Sequence, residues 1–365
     1  MLKKIAYLFK SDVVMFVSMC LAIVSCIIVP PSAQYLQYID FHTLILLFCL
    51  MLIVEGLREQ GFFQAVGNWI FTRIKTTKGL VFSLVFLCFF SSMLITNDVT
   101  LITFIPFGIL ILEMAGLTPK LCLTVTLMTI AANLGSMFTP IGNPQNLYLF
   151  SISHLDLPGF FMLMLPFTAV SAVLLGVFIL FGYRQSALEI HIGGSERLDK
   201  RSVCFYGVLF VLCVLAVAGV VPAYLLLPAV VLCVFCKKKT LFKKIDYSLL
   251  LTFSFFFIFV GNINQMENLR AWISGIVQHH ERMVSVGISQ VISNVPAAML
   301  LSGYTENINE LIIGTNLGGL GTLIASMASL ISYKHVANRY PEFKKKYLLL
   351  FTLCNLVFLV FLCLL

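Results

Sequence analysis

Charged residues are scarce in this chain. They make up 11% of its 365 residues, whereas 60% are hydrophobic and the mean hydropathy is +1.00. A soluble domain carries about 25% charged residues, so this composition excludes an ordinary soluble protein. It predicts an all-α polytopic membrane protein that forms one helical bundle in a lipid bilayer.

The chain also lacks the motifs of enzymes and ATP-driven pumps. It has no phosphate-binding loop, no His-Glu-x-x-His sequence and no Ser/His/Asp set. Cys233 and Cys236 form a Cys-x-x-Cys pair, but no second pair follows to complete a zinc site. We therefore expect a secondary transporter with no cofactor rather than an enzyme or a pump.

The net charge of +8 does not indicate nucleic-acid binding, because Lys and Arg cluster in short loops between apolar stretches. With the N-terminus inside, all but two of the 24 Lys and Arg residues fall on the inner side. The two exceptions are Arg270 and Arg282. This pattern predicts a multi-pass protein of the cell's inner membrane, with a cytoplasmic N-terminus and an outer C-terminus.

Nine stretches are read as crossings, and two of them contain a polar interruption. They are residues 13–29, 41–56, 119–152 (broken), 159–183, 203–221, 223–236, 247–262, 307–333 (broken) and 347–364.

Two polar tripeptides lie between the remaining apolar runs. They are Thr96-Asn97-Asp98 and Ser293-Asn294-Val295. A polar break at membrane depth is costly unless it lines a cavity, so we interpret each tripeptide as the tip of a re-entrant hairpin. The arms of the first hairpin are long enough to be two true crossings, and the sequence leaves that alternative open.

The two broken spans carry a second set of polar residues. The first runs from Asn133-Leu134-Gly135 to Asn146, and the second begins at Asn316-Leu317-Gly318. Pro and Gly inside an apolar span interrupt the helix and free backbone groups for a ligand. The candidates are Asn133, Gly135, Thr139, Gly142, Asn143, Asn146, Asn316, Gly318, Gly319 and Thr322. Close helix packing remains an alternative explanation for the glycines.

These features recur in the same order in both halves. Asp40 and Asp246 each open an apolar run, and a hairpin tip and then an Asn-Leu-Gly sequence follow each of them. An odd number of crossings separates the two units, which predicts an inverted-topology repeat with two re-entrant hairpins and two broken transmembrane helices. We divide the chain into residues 1–153 (first repeat), 154–221 (connecting spans and a cytoplasmic loop) and 222–365 (second repeat and last span).

The chemistry of these residues suits ions. Short side chains with oxygens and unwound carbonyls can ligate Na⁺, and free N–H groups at a helix N-terminus attract anions. Asp98 is either a cation ligand or proton carrier, or the N-cap of the following helix. Either role fits its position at a hairpin tip.

Thr96-Asn97-Asp98, Ser293-Asn294-Val295 and the sequence from Gly135 to Asn146 resemble the signatures of the ion-transporter superfamily. This superfamily contains citrate permeases, divalent-anion/sodium symporters and arsenite permeases. The resemblance implies a homodimer with elevator-like motion and one coupling-ion site at each tip. One site would use Thr96, Asn97, Asn133 to Gly135, Gly142 and Asn143, and the other Ser293, Asn294 and Asn316 to Gly318. Na⁺ is expected at Asn97, Asn133, Asn294 and Asn316.

The third position of each tripeptide departs from the symporters, which carry Thr where this chain has Asp98 and Val295. The Asn-Asp pair is similar to the arsenite-permease branch and favours H⁺ coupling. Our hypothesis is a secondary transporter of a small anion, a carboxylate or oxyanion, coupled to Na⁺ or H⁺. The alternative is an arsenite-type exporter or a Na⁺/H⁺ exchanger that uses Asp98.

Overall fold

The fold was analysed in a computed structural model, which describes residues 13–32, 34–71, 74–188 and 199–365. Within these ranges the chain is almost wholly helical and contains no strand longer than a single bridge pair. Lys3, Lys4, Lys10, Arg73 and Arg197, which the orientation prediction counts, lie outside the described residues.

The described residues up to 188 form nine helices: α1 (Val13–Ile28), α2 (Tyr35–Tyr38), α3 (Phe41–Glu59), α4 (Phe62–Phe71), α5 (Thr77–Leu94), α6 (Asn97–Met114), α7 (Leu121–Ser136), α8 (Pro144–Ile152) and α9 (Leu157–Gly182). Nine more follow: α10 (Lys200–Val217), α11 (Ala223–Lys237), α12 (Tyr247–Asn264), α13 (Glu267–Val277), α14 (Glu281–Ile292), α15 (Asn294–Ser302), α16 (Ile308–Leu317), α17 (Met327–Arg339) and α18 (Lys344–Cys363).

Seven of the described helices are long and apolar enough to cross a membrane. They are α3, α5, α6, α9, α10, α12 and α18, the last extended by the turn at Pro341. Helices α1 and α11 are apolar but shorter. The prediction of an all-α polytopic membrane protein is confirmed.

Two series of seven helices follow the same order, α3 to α9 and α12 to α18. Their first helices begin in the same way. The N-cap residues Asp40 and Asp246 have nearly the same backbone angles (φ −78°, ψ 87° and φ −78°, ψ 82°). Each carboxylate accepts a hydrogen bond from the N–H three residues later, at 3.1 Å in both cases. This N-cap satisfies one of the free donors of a helix start.

Both broken spans are interrupted in the structure. Residues 137–143 separate α7 from α8, and residues 318–326 separate α16 from α17. Pro144 takes the first turn of α8, where the missing N–H of proline costs nothing. Helix α17 continues to Arg339, beyond the predicted end at residue 333, because its polar last turns still propagate a helix.

The two hairpins differ in length. Helices α5 and α6 have 18 residues each, whereas α14 and α15 have 12 and 9. The ends of α5 and α6 that lie away from the tip are close to the end of α9. Lys78, at the start of α5, donates to the carbonyl of Leu180 at 2.8 Å, and Lys120, after α6, donates to that of Gly182 at 3.1 Å. Glu113, at the end of α6, pairs with Arg339 at the same place. We term this side of the molecule the basic face.

Candidate functional site

The first hairpin tip is bonded to the break between α7 and α8. The backbone N–H of Asn97 donates to the carbonyl of Gly142 at 3.0 Å, and its side-chain amide donates to Oδ1 of Asn133 at 3.1 Å. Both asparagines are 5% exposed. Thr96 caps α6, with its hydroxyl accepting from the N–H of Val99. The tip therefore lies beside the start of α8.

The second tip repeats this arrangement. The backbone N–H of Asn294 donates to the carbonyl of Ala325 at 3.0 Å. Ser293 is fully buried and has φ +80°, a left-handed conformation that strains a residue with a side chain. Gln290, which the sequence reasoning missed, donates to the carbonyls of Gly318 and Leu320 at 3.0 and 2.9 Å. It is a polar residue one turn before the tip, and that position was its only signal.

The two broken helices hold each other through a pair of matching contacts. Asn133, at the end of α7, accepts from Ser326 at 3.2 Å and donates to Ser329 at 3.3 Å. Asn316, at the end of α16, accepts from Asn143 at 3.1 Å and donates to Asn146 at 2.6 Å.

A single offset relates these contacts. Asn133 and Asn316 are 183 positions apart (316 − 133), and the same offset leads from Asn143 to Ser326 and from Asn146 to Ser329. Each half therefore supplies the start of one helix to the end of the other half's broken helix. Ser326 and Ser329 were not among the predicted site residues. Asn143, expected to serve the first tip, bonds instead to Asn316 of the second half and to Ser136.

Four helix N-termini meet at this centre, those of α6, α8, α15 and α17. The carbonyl ends of α5, α7, α14 and α16 lie beside them. Each N-terminus carries a partial positive charge of about half a unit and each C-terminus the opposite. The site can therefore offer N–H groups to an anion and carbonyl oxygens to a cation.

The citrate transporter family matches residues 2–310 of the chain. The protein belongs to this family. It is also 32% identical over 321 residues to an uncharacterized transporter of Methanocaldococcus jannaschii, covering 88% of both chains. The inner membrane protein YbiR of Escherichia coli is 30% identical over 307 residues, 82% of this chain and 81% of that protein. A silicon efflux transporter of Oryza sativa is 30% identical over 128 residues, 35% of this chain and 26% of its own.

As a member of the citrate transporter family, the protein is a multi-pass membrane transporter. The ion-transporter resemblance read from the tripeptides is confirmed at the level of the family.

Asp98 stands apart from the hydrogen-bonded network. The N-cap of α6 is Thr96, so the N-cap interpretation of Asp98 is wrong, and Asp98 lies in the first turn of the helix. Its N–H donates to Oδ1 of Asn97 at 3.0 Å, whereas its carboxylate oxygens bond to no other described residue. The side chain is half-buried. A carboxylate held at a positive helix end without a fixed partner is available to a cation or a proton.

Two predicted glycines lie at helix contacts. A Cβ at Gly135 would come within 2.6 Å of the hydroxyl of Ser92, and a Cβ at Gly318 within 2.6 Å of that of Ser289. These positions allow α7 to approach α5, and α16 to approach α14, which is the packing alternative left open by the sequence. Gly319 differs, because a Cβ there would meet the side-chain amide of Asn294 at 2.9 Å.

Thr139 and Thr322 hold the breaks in place. The hydroxyl of Thr139 donates to the carbonyl of Met93 at 2.6 Å, and the N–H of Thr322 donates to Oε1 of Gln290 at 2.9 Å. Each threonine thus ties a break to the hairpin arm beside it. Val295 is buried behind the second tip and offers no polar atom.

Gln145 is a further candidate that the sequence reasoning passed over. It lies in the first turn of α8, between Asn143 and Asn146, and is 1% exposed. Its amide forms no hydrogen bond to another residue in the described part of the chain. A buried amide without a protein partner is costly unless a ligand or water satisfies it, so Gln145 belongs with the polar residues of the centre.

Proposed function

We propose that this transporter is a secondary active carrier that moves a small anion across the inner membrane, coupled to Na⁺ or H⁺. The anion is a carboxylate such as citrate or a dicarboxylate, or an oxyanion. The observation that supports this most directly is the meeting of four helix N-termini at the two hairpin tips. No resident cofactor is needed for such transport.

The proposal includes a membrane arrangement. Each hairpin enters and leaves the bilayer on one side, with its tip at the break of its own repeat's helix. The bonds from Asn97 to Gly142 and from Asn294 to Ala325 support this depth. The crossed contacts of Asn133 and Asn316 support an inverted repeat. The basic face is then cytoplasmic, together with the N-terminus, and the C-terminus lies outside.

Recognition of the anion rests on neutral donors. The segments 93–98, 133–146, 290–296 and 316–329 contain no Lys or Arg. N–H groups at the starts of helices, with the amide of Gln145 nearby, would contact the anion oxygens. Neutral donors suit an anion that must be released again, because a buried Lys or Arg would form a stronger charge-assisted bond.

The coupling ion would bind at the hairpin tips, next to the carbonyl ends of the broken helices. Amide and hydroxyl oxygens with backbone carbonyls are the hard ligands that Na⁺ takes, and they occur at Asn97 with Asn133 and at Asn294 with Asn316. Thr96 and Ser293 add hydroxyls at the two tips. Proton coupling would instead use Asp98.

Gradient-driven uptake tests the proposal. The purified protein is reconstituted into proteoliposomes, and uptake of labelled citrate, a dicarboxylate and an oxyanion is measured under an imposed Na⁺ gradient, an imposed pH gradient, or neither. We expect one gradient to drive accumulation of at least one of these anions. Equal uptake with and without both gradients, for all three anions, would contradict secondary anion transport.

A second candidate is an exporter of the arsenite type or a Na⁺/H⁺ exchanger that uses Asp98. The unpaired, half-buried carboxyl of Asp98 favours it, and one relative is named a silicon efflux transporter. The variant Asp98→Asn distinguishes a Na⁺-coupled anion carrier from an exporter or exchanger that uses Asp98. It should abolish pH-driven exchange while leaving Na⁺-driven anion uptake in place if Na⁺ is the coupling ion.

A further inference from the structure

The two hairpins (α5, α6, α14 and α15) and the two broken helices (α7, α8, α16 and α17) are treated as one unit. This unit packs unevenly against the rest of the molecule. On the face opposite the basic face, α8 packs against α3 and α15 packs against α12. Ser151 near the end of α8 donates to Oδ2 of Asp40 at 3.2 Å and lies 2.8 Å from the hydroxyl of Thr43. Tyr148 packs its ring against Phe257, with centroids 5.5 Å apart. On this side the unit is therefore packed against the rest of the molecule.

The repeat assigns a counterpart to each of these contacts. Helix α17 corresponds to α8, α6 to α15, and α12 and α3 exchange places. Among the described residues, neither α17 with α12 nor α6 with α3 makes a packing contact comparable to those of α8 and α15. The basic face is therefore the less packed side of this structure, and the two halves of one repeated unit are seen in two different environments.

Specific residues follow from the same correspondence. Ser151 is the eighth residue after the N-cap Asn143 of α8, and Lys334 is the eighth after the N-cap Ser326 of α17. Asp246 corresponds to Asp40 as the N-cap of the first helix of its repeat, and Leu249 corresponds to Thr43. Lys334 is exposed and forms no ion pair with a described residue.

The polar centre gives the unit its rigidity. The bonds at Asn97, Asn133 and Asn316 join the first hairpin and both broken helices, and the N–H of Asn294 joins the second hairpin to the carbonyl of Ala325. The side chains of these four asparagines are buried. Breaking them would leave several buried polar groups unpaired, whereas the contacts of Ser151 with Asp40 and Thr43 are only part-buried. Relative movement will occur at the weaker contacts, with the unit moving as one body.

We propose that two latches alternate during transport. The hydrogen bond of Ser151 to Asp40 holds the state seen here, and an ion pair of Lys334 with Asp246 holds the state in which the basic face is closed. Lys334 and Asp246 are thus positioning residues. The proposal rests on the proposed transport function, but it concerns the movement of the protein and not the identity of the anion.

Disulfide cross-linking tests it in native membranes. The pair Thr43→Cys with Ser151→Cys should cross-link, because the two hydroxyls are already 2.8 Å apart. The pair Leu249→Cys with Lys334→Cys should also cross-link, although only in the other state. The pair Thr43→Cys with Lys334→Cys is the matched control, because these positions lie at opposite faces in both states and should not cross-link. Single variants control for the chain's own cysteines.

The decisive result is whether Leu249→Cys and Lys334→Cys cross-link. Cross-linking at positions 249 and 334 above the level of both single variants supports the proposal, and a reducing agent should restore any transport that the cross-link stops. No cross-link at these positions, in membranes where the first pair cross-links, would overturn it. Because no substrate is needed, cross-linking of both pairs in a protein that moves none of the tested anions would reject the proposed function alone.

A population shift provides an independent check. Asp40→Asn weakens a hydrogen bond to a charged group and should speed cross-linking of the 249/334 pair roughly fivefold. Glu267→Gln removes an exposed carboxylate of α13 and should leave the rate unchanged. An unchanged rate in Asp40→Asn would show that its contact with Ser151 does not hold the state.

Discussion

At the scale of single residues, asparagine is the side chain that builds the centre of this molecule. One amide both donates and accepts, so a buried asparagine can join two elements at once. Asn133 bonds to Asn97, Ser326 and Ser329, and Asn316 bonds to Asn143 and Asn146 in the same way. Aspartate could not donate and serine could not reach two partners so far apart. The amide type, rather than polarity alone, therefore holds the network.

The strained backbone at Ser293 gives the first prediction. Because glycine adopts φ +80° without strain, Ser293→Gly should raise the free energy of unfolding by up to about 1 kcal/mol. If the hydroxyl ligates the coupling ion, the same variant should need a higher ion concentration for half-maximal uptake. Thermal unfolding in detergent and ion-dependent uptake measure the two effects.

Ser153→Gly is the control, because Ser153 has an ordinary φ of −81° and its hydroxyl donates to the carbonyl of Phe150. It should lower stability. A loss of stability of the same size in Ser293→Gly would show that the left-handed conformation is not strained.

The close approach of α7 to α5 at Gly135 gives the second prediction. Gly135→Ala would force a methyl group against the backbone carbonyl of Phe89 and place it 2.6 Å from the hydroxyl of Ser92, and should lower the free energy of unfolding by about 1–3 kcal/mol. Gly176→Ala in α9 meets nothing within 4 Å and should be neutral or slightly stabilising. Retention of the folded peak in size-exclusion chromatography after graded heating compares them. Equal behaviour of the two variants would rule out the steric contact.

At the scale of elements, each broken helix is completed by the other repeat. The end of α7 bonds to the start of α17, and the end of α16 bonds to the start of α8. Helix ends leave four unpaired groups each, and burying them in a bilayer without partners is costly. The exchange satisfies side chains at both breaks and fixes the two repeats against each other, so the breaks are stable without a bound ligand.

This exchange predicts a large effect of Asn316→Ala. The variant leaves the side-chain amide of Asn143 and Oδ1 of Asn146 without their partner, and should cost about 2 kcal/mol of stability. Asn268→Ala on the exposed surface of α13 should change stability by less than about 0.5 kcal/mol. Chemical unfolding monitored by tryptophan fluorescence is suitable. A neutral Asn316→Ala would contradict the crossed arrangement.

Much of the order of helices and breaks could be predicted from the sequence, because helix caps and prolines act on neighbouring residues. Asp40 and Asp246 signal helix starts, and Pro140 with Pro144 forces the first break. The partners across the centre were not readable. Ser326 and Ser329 are small polar residues in an ordinary setting, and only the approach of α17 to α7 gives them a role. Asn143 was assigned to its own tip for the same reason.

At the scale of the whole molecule, composition and charge were sufficient to predict a polytopic helical protein, since lipid imposes that pattern on every span. Helix α8 packs against α3, whereas α17 does not pack comparably against α12. This difference could not be predicted, because the sequence of the two helices is compatible with either arrangement. Composition also does not distinguish the two tips. Both contain an asparagine, but Asp98 follows the first and Val295 follows the second. The two halves therefore share an element order and differ in the residue that follows the tip asparagine.

Anion uptake by tip variants tests the central claim most directly. Wild-type protein, Asn97→Ala, Asn294→Ala and the surface control Asn268→Ala are reconstituted at matched amounts, and gradient-driven uptake of the anion that the wild type transports is measured. Each tip variant loses a buried amide at the site, so uptake should fall at least about tenfold while insertion and folding persist; a loss of 1.4 kcal/mol of binding already gives that factor. The control should match the wild type. Wild-type uptake in either tip variant would contradict the assignment of the site to the two hairpin tips.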